Sequence, residues 1–272
     1  GIDRMNEIFF EKNEEDDSLI SPQSASNESG IKISNLSFHF PGQEDLLFNR
    51  INLEIPKGKT TAIVGVSGSG KTTLLKLLLN FYNPTSGSVF VNDVDLSTIS
   101  PKWWRNKCGT VMQEGFLFSS TIKNNIVLNQ EFDMEKLIRS VEIANIDDFI
   151  ADLALNFETK IGLTGVSLST GQKQRILIAR AVYKDPEYLF FDEATSSLDS
   201  KNERIIMENL SKFFMGKTVV IVAHRLSTVK NADQIVVLEK GNVCEIGTHK
   251  ELVEKQGYYY DLIKNQLDLD GE

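Results

Sequence analysis

One short glycine-rich run constrains this chain more than any other feature. Gly65-Val66-Ser67-Gly68-Ser69-Gly70-Lys71-Thr72 has the spacing GxxxxGK[ST]. The β-rich apolar run Thr60-Thr61-Ala62-Ile63-Val64 enters it, and an apolar helical pattern (Leu74, Leu75, Leu77, Leu78) leaves it. Glycines allow backbone angles closed to other residues. Successive N–H groups can then turn inward on one anion, and the helix that follows adds the positive end of its dipole. A strand, loop and helix in this order predict a phosphate cradle. Lys71 is placed to neutralise β- and γ-phosphates and Thr72 to hold Mg²⁺, and Thr73 is counted with them among the binding residues. A mere glycine-rich turn would require neither flank.

A second segment supplies the partner chemistry. Tyr188-Leu189-Phe190-Phe191-Asp192-Glu193 is a continuous apolar run closed by two acids, which reads as a buried strand. Open α/β sheets bind ligands at the carboxyl ends of their strands. There Asp192 is expected to reach Mg²⁺, and Glu193 to polarise an attacking water as general base. Alone, two acids could be a solvated strand end; beside the glycine loop they form a phosphoryl-transfer pair.

The rest of the chain alternates in the same manner. Ile31, Ile33, Leu36, Phe38 and Phe40 suggest a strand pair, and Leu47 to Ile55 another strand. The span from about Glu114 to Ile178 reads mostly as helix, with helical periodicity over Met134–Ile143 and Asp147–Leu155. Further helices are expected over Lys173–Lys184, Lys201–Phe214 and about Lys250–Asn265, a strand over Thr218–Ala223, and a hairpin around Lys240-Gly241. Strands alternating with helices predict an α/β fold with a mostly parallel sheet. Residues 1 to about 30 contain the charged run Glu11–Asp17 and the turn-rich Ser21–Gly30, and read as a linker. The folded domain is expected over 31–272, with an inserted helical lobe at about 114–178.

Composition narrows the function classes. The net charge of −9 argues against nucleic acid as a partner, since phosphate backbones are bound largely through Lys and Arg. The two cysteines, Cys108 and Cys244, lack metal or CxxC spacing and read as reduced thiols, with the cytosol as default. Apolar runs such as Val219–Ala223 fall far short of the roughly 20 residues of a membrane span. The start of the chain lacks the order of a signal peptide. Trp103, Trp104, His39 and His249 match no motif and read as structural.

Leu168-Ser169-Thr170-Gly171-Gln172, opening a helix that leads to the Tyr188 strand, resembles the LSGGQ signature of ABC ATPases, with Thr170 in place of the usual glycine. The other elements of that family follow in order. Gln113 resembles the Q-loop glutamine that touches Mg²⁺ and the water. Ser196-Ser197-Leu198-Asp199 resembles the D-loop, His224 the switch histidine at the γ-phosphate, and Phe40 the aromatic that stacks on adenine. The resemblance covers about Ile31 to Gln266. It implies a P-loop NTPase core with an N-terminal antiparallel β subdomain and an inserted α-helical subdomain. It also implies ATP and Mg²⁺ as ligands and a head-to-tail dimer, in which Ser169, Gly171 and Gln172 of one copy face the nucleotide held by the other.

Within the family, three segments are similar to exporters: Arg4–Phe9 to the end of a last transmembrane segment, Gly241–His249 to a C-terminal hairpin, and Thr159–Gly162 to the start of the X-loop, although Leu163-Thr164 replaces the Glu-Arg usual there. Gly115-Phe116-Leu117-Phe118-Ser119 adds a likeness to bacterial peptide or bacteriocin exporters, some of which carry an N-terminal peptidase domain. The implied setting is the cytoplasmic face of a membrane, beside transmembrane domains outside this chain. The rival readings are a soluble, non-transport ABC ATPase and a non-catalytic regulatory module. Acidic charge, the Arg4–Phe9 segment and the absence of long heptads weigh against the first; Glu193 and His224 weigh against the second.

Overall fold

The computed structural model describes residues 19–22, 29–162, 165–195, 197–223 and 229–270. An antiparallel sheet packs over one face of a larger, mostly parallel one. The first has the order β2-β1-β4-β5, with β1 at Ile31–Phe38, β2 at Phe48–Ile55, β4 at Ser86–Val91 and β5 at Val94–Asp95. The second has the order β12-β11-β3-β10-β9-β6. Its strands are β3 (Thr60–Val64), β6 (Cys108–Val111), β9 (Tyr188–Asp192), β10 (Thr218–Val222), β11 (Gln234–Glu239) and β12 (Asn242–Gly247). Only β12, at the edge, runs antiparallel to its neighbour.

Successive side chains of a strand point to opposite faces, and both faces of this sheet are covered. On β10, Val220 and Val222 join Ile63, Phe190 and Leu238 in a core closed by β1, β2 and α1 (Lys71–Leu78). Val219 and Ile221 face the other way, with Leu189 and Phe191, into a core closed by helices. That side holds α3 (Ile122–Val127), α4 (Met134–Ile143), α5 (Asp147–Ala151), α6 (Thr170–Tyr183) and α7 (Ser200–Phe213), with a small ladder of β7 (Ser120–Thr121) and β8 (Lys160–Ile161). α2 (Pro101–Lys107) precedes β6, and α8 (His249–Lys255) and α9 (Tyr258–Asp270) close the chain. The α/β class with a mostly parallel sheet is as expected.

Two local expectations are corrected, and one strand carried no expectation. The strand pair expected over Ile31–Phe40 is one strand. Its register shifts between Ile33 and Leu36, with Asn35 at φ 47°, so a bulge puts both Ile33 and Leu36 in the core and breaks the alternation. The single helix expected over Lys250–Asn265 is two. Gln256 takes a left-handed φ of 51°, and the Glu245 carboxylate accepts from the Tyr258 and Tyr259 N–H groups at 3.0 Å each, starting a new helix. The tetrapeptide Cys-Gly-Thr-Val of β6 has too little apolar pattern to announce a strand, yet it pairs in parallel with β9. Trp104 is a packing residue, with its indole N–H donating to the Leu78 carbonyl at 3.0 Å, and His249 is tied to the Tyr259 hydroxyl at 2.8 Å.

Candidate active site

The parallel strands β3, β10, β9 and β6 end at the same edge of the sheet, and the carboxyl ends of β3, β9 and β6 each carry one part of the site. Past β3 the chain turns through Gly65, Gly68 and Gly70 at φ 152°, 78° and 104°. Gly65 is forced: a Cβ there would stand 2.1 Å from the Leu238 carbonyl oxygen of β11. Gly70, the residue before α1, offers no side-chain cap, so the first N–H groups of that helix remain available at the loop. Lys71 bends back across the loop, its Nζ donating to the carbonyls of Gly65 at 2.8 Å and Val66 at 3.0 Å. Burial pushes its ammonium pKa down, while the charges of Glu193 and Asp192 pull it back up.

The β9 acids come to the same place. The Thr72 hydroxyl donates to Asp192 Oδ1 at 3.2 Å, joining the start of α1 to the end of β9. Asp192 is only 1% exposed, and its Oδ2 is buried with no hydrogen-bond partner among the described residues; Ser69 Oγ is in the same position. Burial raises the Asp192 pKa. The Thr72 hydrogen bond opposes this, the Glu193 charge adds to it, and Lys76 and Lys71 oppose it. Unsatisfied buried oxygens of this kind cost about 1–3 kcal/mol each. Glu193 sits at φ 49°, its N–H donating to the Val222 carbonyl at 3.1 Å, which turns the chain sharply off β9. Gln113, two residues beyond β6, donates from Nε2 to Glu193 Oε2 at 3.4 Å.

Thus Lys71, Thr72, Asp192, Glu193 and Gln113 converge within one monomer. The donor set suits Mg²⁺, which prefers one or two carboxylates with hydroxyl, phosphate and water ligands to an all-protein cage. Among the described residues, no three His, Cys, Asp or Glu side chains form a metal cage.

Among the described residues, Ser169, Gln172, Asp199 and Phe40 make their side-chain contacts outside that cluster. Ser169 caps α6: its Oγ accepts from the Gln172 N–H at 3.1 Å, while Gln172 Oε1 accepts from the Ser169 N–H at 2.8 Å. Thr170 is exposed and takes no part in this box. Gly171 lies against Leu198, where a Cβ would stand 3.4 Å from its methyl carbon. Asp199 caps α7, accepting from the Asn202 N–H at 3.0 Å and its side-chain amide at 2.6 Å, and these bonds lower its pKa. Among the described residues, the hydrogen bonds of Ser169, Gln172 and Asp199 stay within their own caps, and none reaches residues 65–73. Phe40, just past β1, sits in an aromatic cluster with Phe38 and Tyr82. His224 and Ser196 lie outside the described residues. Immediately before His224, Ala223 donates its N–H to the Ile63 carbonyl at 3.2 Å.

Two contacting residues were not singled out from sequence. Asn202 follows Asp199 by the three positions of a helix cap, a spacing that could have flagged it. Its Oδ1 also accepts from Asn145 Nδ2 at 2.8 Å, tying the α4–α5 turn to Asp199. Tyr82 carries no such signal, because only folding brings it to Phe40.

Comparison with known proteins fits this arrangement. The family model described as ABC transporter matches residues 48–196. The leukotoxin translocation ATP-binding protein LktB of Mannheimia haemolytica is 44% identical over 240 residues, which is 88% of this chain and 34% of that protein. ABC transporter B family member 1 of Arabidopsis thaliana is 45% identical over 240 residues, 87% of this chain and 19% of that protein. The structure of a bacterial Atm1-family ABC exporter with ATP bound superposes with a TM-score of 0.90 at 32% identity, covering 98% of this chain and 47% of that one. The chain therefore spans about a third or less of the length of these two curated relatives. With family match, sequence identity and fold in agreement, the chain belongs to the ABC transporter family.

Proposed function

We propose that this chain is the nucleotide-binding domain of a membrane exporter, binding ATP with Mg²⁺ and hydrolysing it to drive transport. The observation that carries the reading is the Thr72–Asp192 hydrogen bond, with the free buried Oδ2 of Asp192 beside it. A hydroxyl and a carboxylate held together in a dry corner, next to a lysine and a glycine loop, are matched to a phosphate-bound cation. Bound Mg²⁺ would neutralise charge on the β- and γ-phosphates.

The roles we assign rest on the sequence motifs, supported for the described residues by their contacts. The loop N–H groups and Lys71 hold the phosphates, with Lys71 exchanging its two loop carbonyls for phosphate oxygens. Thr72, Asp192 and Gln113 hold the cation. Glu193 accepts the proton of the attacking water, and Gln113, bonded to Glu193, orients both. His224 contacts the γ-phosphate, and Phe40 takes the adenine. The active site is completed by Ser169, Gly171 and Gln172 of a second copy in a head-to-tail dimer, with Asp199 at the same interface. The self-contained capping box at the start of α6 supports this, because it holds the segment in shape without any partner. Catalysis is then mainly positioning and charge stabilisation around in-line attack.

No helix of the described residues is long and apolar enough to cross a membrane. Transport on this reading is carried by transmembrane domains beside this domain, which works at their cytoplasmic face; the likeness to membrane exporters supports it. The cargo we infer is a peptide. The likeness of Gly115–Ser119 to peptide exporters supports this, as do relatives named for leukotoxin translocation.

The test is the ATPase rate as a function of protein concentration with Mg²⁺ at saturating ATP. A rate that rises faster than linearly, and vanishes when Mg²⁺ is chelated, is the expected result. A linear rate, with no dimer formed by the Glu193→Gln variant in ATP, would overturn the two-copy site; hydrolysis indifferent to Mg²⁺ would overturn the cation site.

A further inference from the structure

Phe40 does not stand alone. Its ring centroid lies 5.2 Å from Phe38 and 5.9 Å from Tyr82, with interplanar angles of 78° and 87°. Phe38 and Tyr82 are themselves nearly parallel, at 28° and 5.5 Å. The three rings form a triangle in which Phe40 crosses a stacked pair at close to a right angle. Such edge-to-face contacts are favoured by the ring quadrupoles and are directional. The two contacts together restrict the tilt of the Phe40 ring.

The two neighbours differ in origin. Phe38 is the buried last residue of β1, two positions before Phe40. Tyr82 is half-buried and belongs to the turn after α1, where Asn80 takes a left-handed φ of 60° and the Phe81 N–H donates to the Lys76 carbonyl at 2.9 Å. Lys76 also places its Nζ 5.9 Å from the Tyr82 ring centroid. The helix that begins at the phosphate loop thus ends at the brace of the aromatic. It sets the distance between the phosphate end and the ring end of the site.

We infer that Tyr82 is a positioning residue for adenine recognition, holding the Phe40 ring in the plane on which the base stacks. This rests on the reading that Phe40 takes the base. Tyr82 acts through Phe40, by its ring and not its hydroxyl. Its loss should therefore weaken binding of the nucleoside part and leave the phosphate part unchanged. One aromatic pair corresponds to roughly a two- to tenfold change in affinity.

The experiment measures dissociation constants for ATP and for inorganic tripolyphosphate in the wild-type chain, Tyr82→Ala, Tyr82→Phe, Phe40→Ala and the double alanine variant. The expected result has four parts. Tyr82→Ala loses about two- to tenfold in ATP affinity with tripolyphosphate unchanged. Tyr82→Phe matches the wild type. Phe40→Ala loses at least as much as Tyr82→Ala, and the double variant is no weaker than Phe40→Ala alone. If Phe40→Ala weakens ATP but Tyr82→Ala does not, the brace is refuted and the stacking role stands. If Phe40→Ala leaves ATP binding unchanged, the stacking role itself is refuted. An equal loss for both ligands in Tyr82→Ala would mean a general disturbance of α1 and would also overturn the inference.

Discussion

Thr72 and Asp192, 120 positions apart in sequence, meet through a hydrogen bond of 3.2 Å. It connects the helix that follows the glycine loop to the last residue of β9. Among the described residues, one Asp192 oxygen is engaged and the other is buried without a partner. The fold therefore holds a carboxylate at a cost that a cation can relieve.

That cost has a pH signature. Burial raises the Asp192 pKa above its ordinary 3.8, so the fold disfavours the ionised form. Below the unfolded-state pKa both states keep the proton and the penalty is absent; it grows as pH rises towards the folded-state pKa and stays constant above it. Asp192→Asn should therefore raise the melting temperature of the nucleotide-free protein at pH 7 by about 2–4 °C, for a gain of roughly 1 kcal/mol, while abolishing Mg²⁺-dependent hydrolysis. Melting curves from acid to neutral pH test this. A variant less stable than the wild type at pH 7 would contradict the assignment.

Glu193 receives the Gln113 amide at 3.4 Å and stands next to Asp192. Glu193→Gln keeps the shape and removes the base. Turnover should fall by about 100-fold or more, with ATP affinity within roughly threefold of the wild type. Single-turnover hydrolysis beside equilibrium ATP binding makes the separation, and near-normal hydrolysis would remove Glu193 from the role of base.

The glycines of the loop are not equivalent. Gly65→Ala drives a Cβ to 2.1 Å from the Leu238 carbonyl oxygen, and that carbonyl belongs to a core strand. Gly68 also has positive φ, but open space surrounds its Cβ direction. Thermal denaturation without nucleotide should show a loss of about 2–4 kcal/mol for Gly65→Ala and about 1 kcal/mol for Gly68→Ala. Equal losses would mean that the loop adapts and that the clash does not govern.

At the start of α6, the capping box uses Ser169 and Gln172 and leaves Thr170 outside. Thr170→Gly should cost under about 1 kcal/mol of stability, yet shift the rise of ATPase rate to lower protein concentration, because bulk is removed from the proposed contact with the second copy. Ser169→Ala should cost about 1 kcal/mol and depress the rate at all concentrations. An unchanged concentration profile in Thr170→Gly would mean that this position stays clear of the interface.

Much of this chemistry is legible along the chain because its parts are contiguous. A glycine loop needs its own strand and helix, and Asp192-Glu193 needs only the apolar run before it; each motif carries its local structure with it. The short strand β6 was not legible, since Cys-Gly-Thr-Val is stabilised by its place beside β9 and not by its own pattern. Nor was the break between α8 and α9, because the carboxylate that captures the second helix start comes from β12.

The sequence by itself determined the α/β class, the phosphate loop, the acidic pair and the cap of the signature helix, all set by short-range spacing and periodicity. Only the tertiary structure decided which residues meet: Thr72 with Asp192, Gln113 with Glu193, Asn145 with Asn202, and Tyr82 with Phe40. Those pairings depend on strand order and on the face each side chain takes, and these are fixed by burying both faces of one sheet at once.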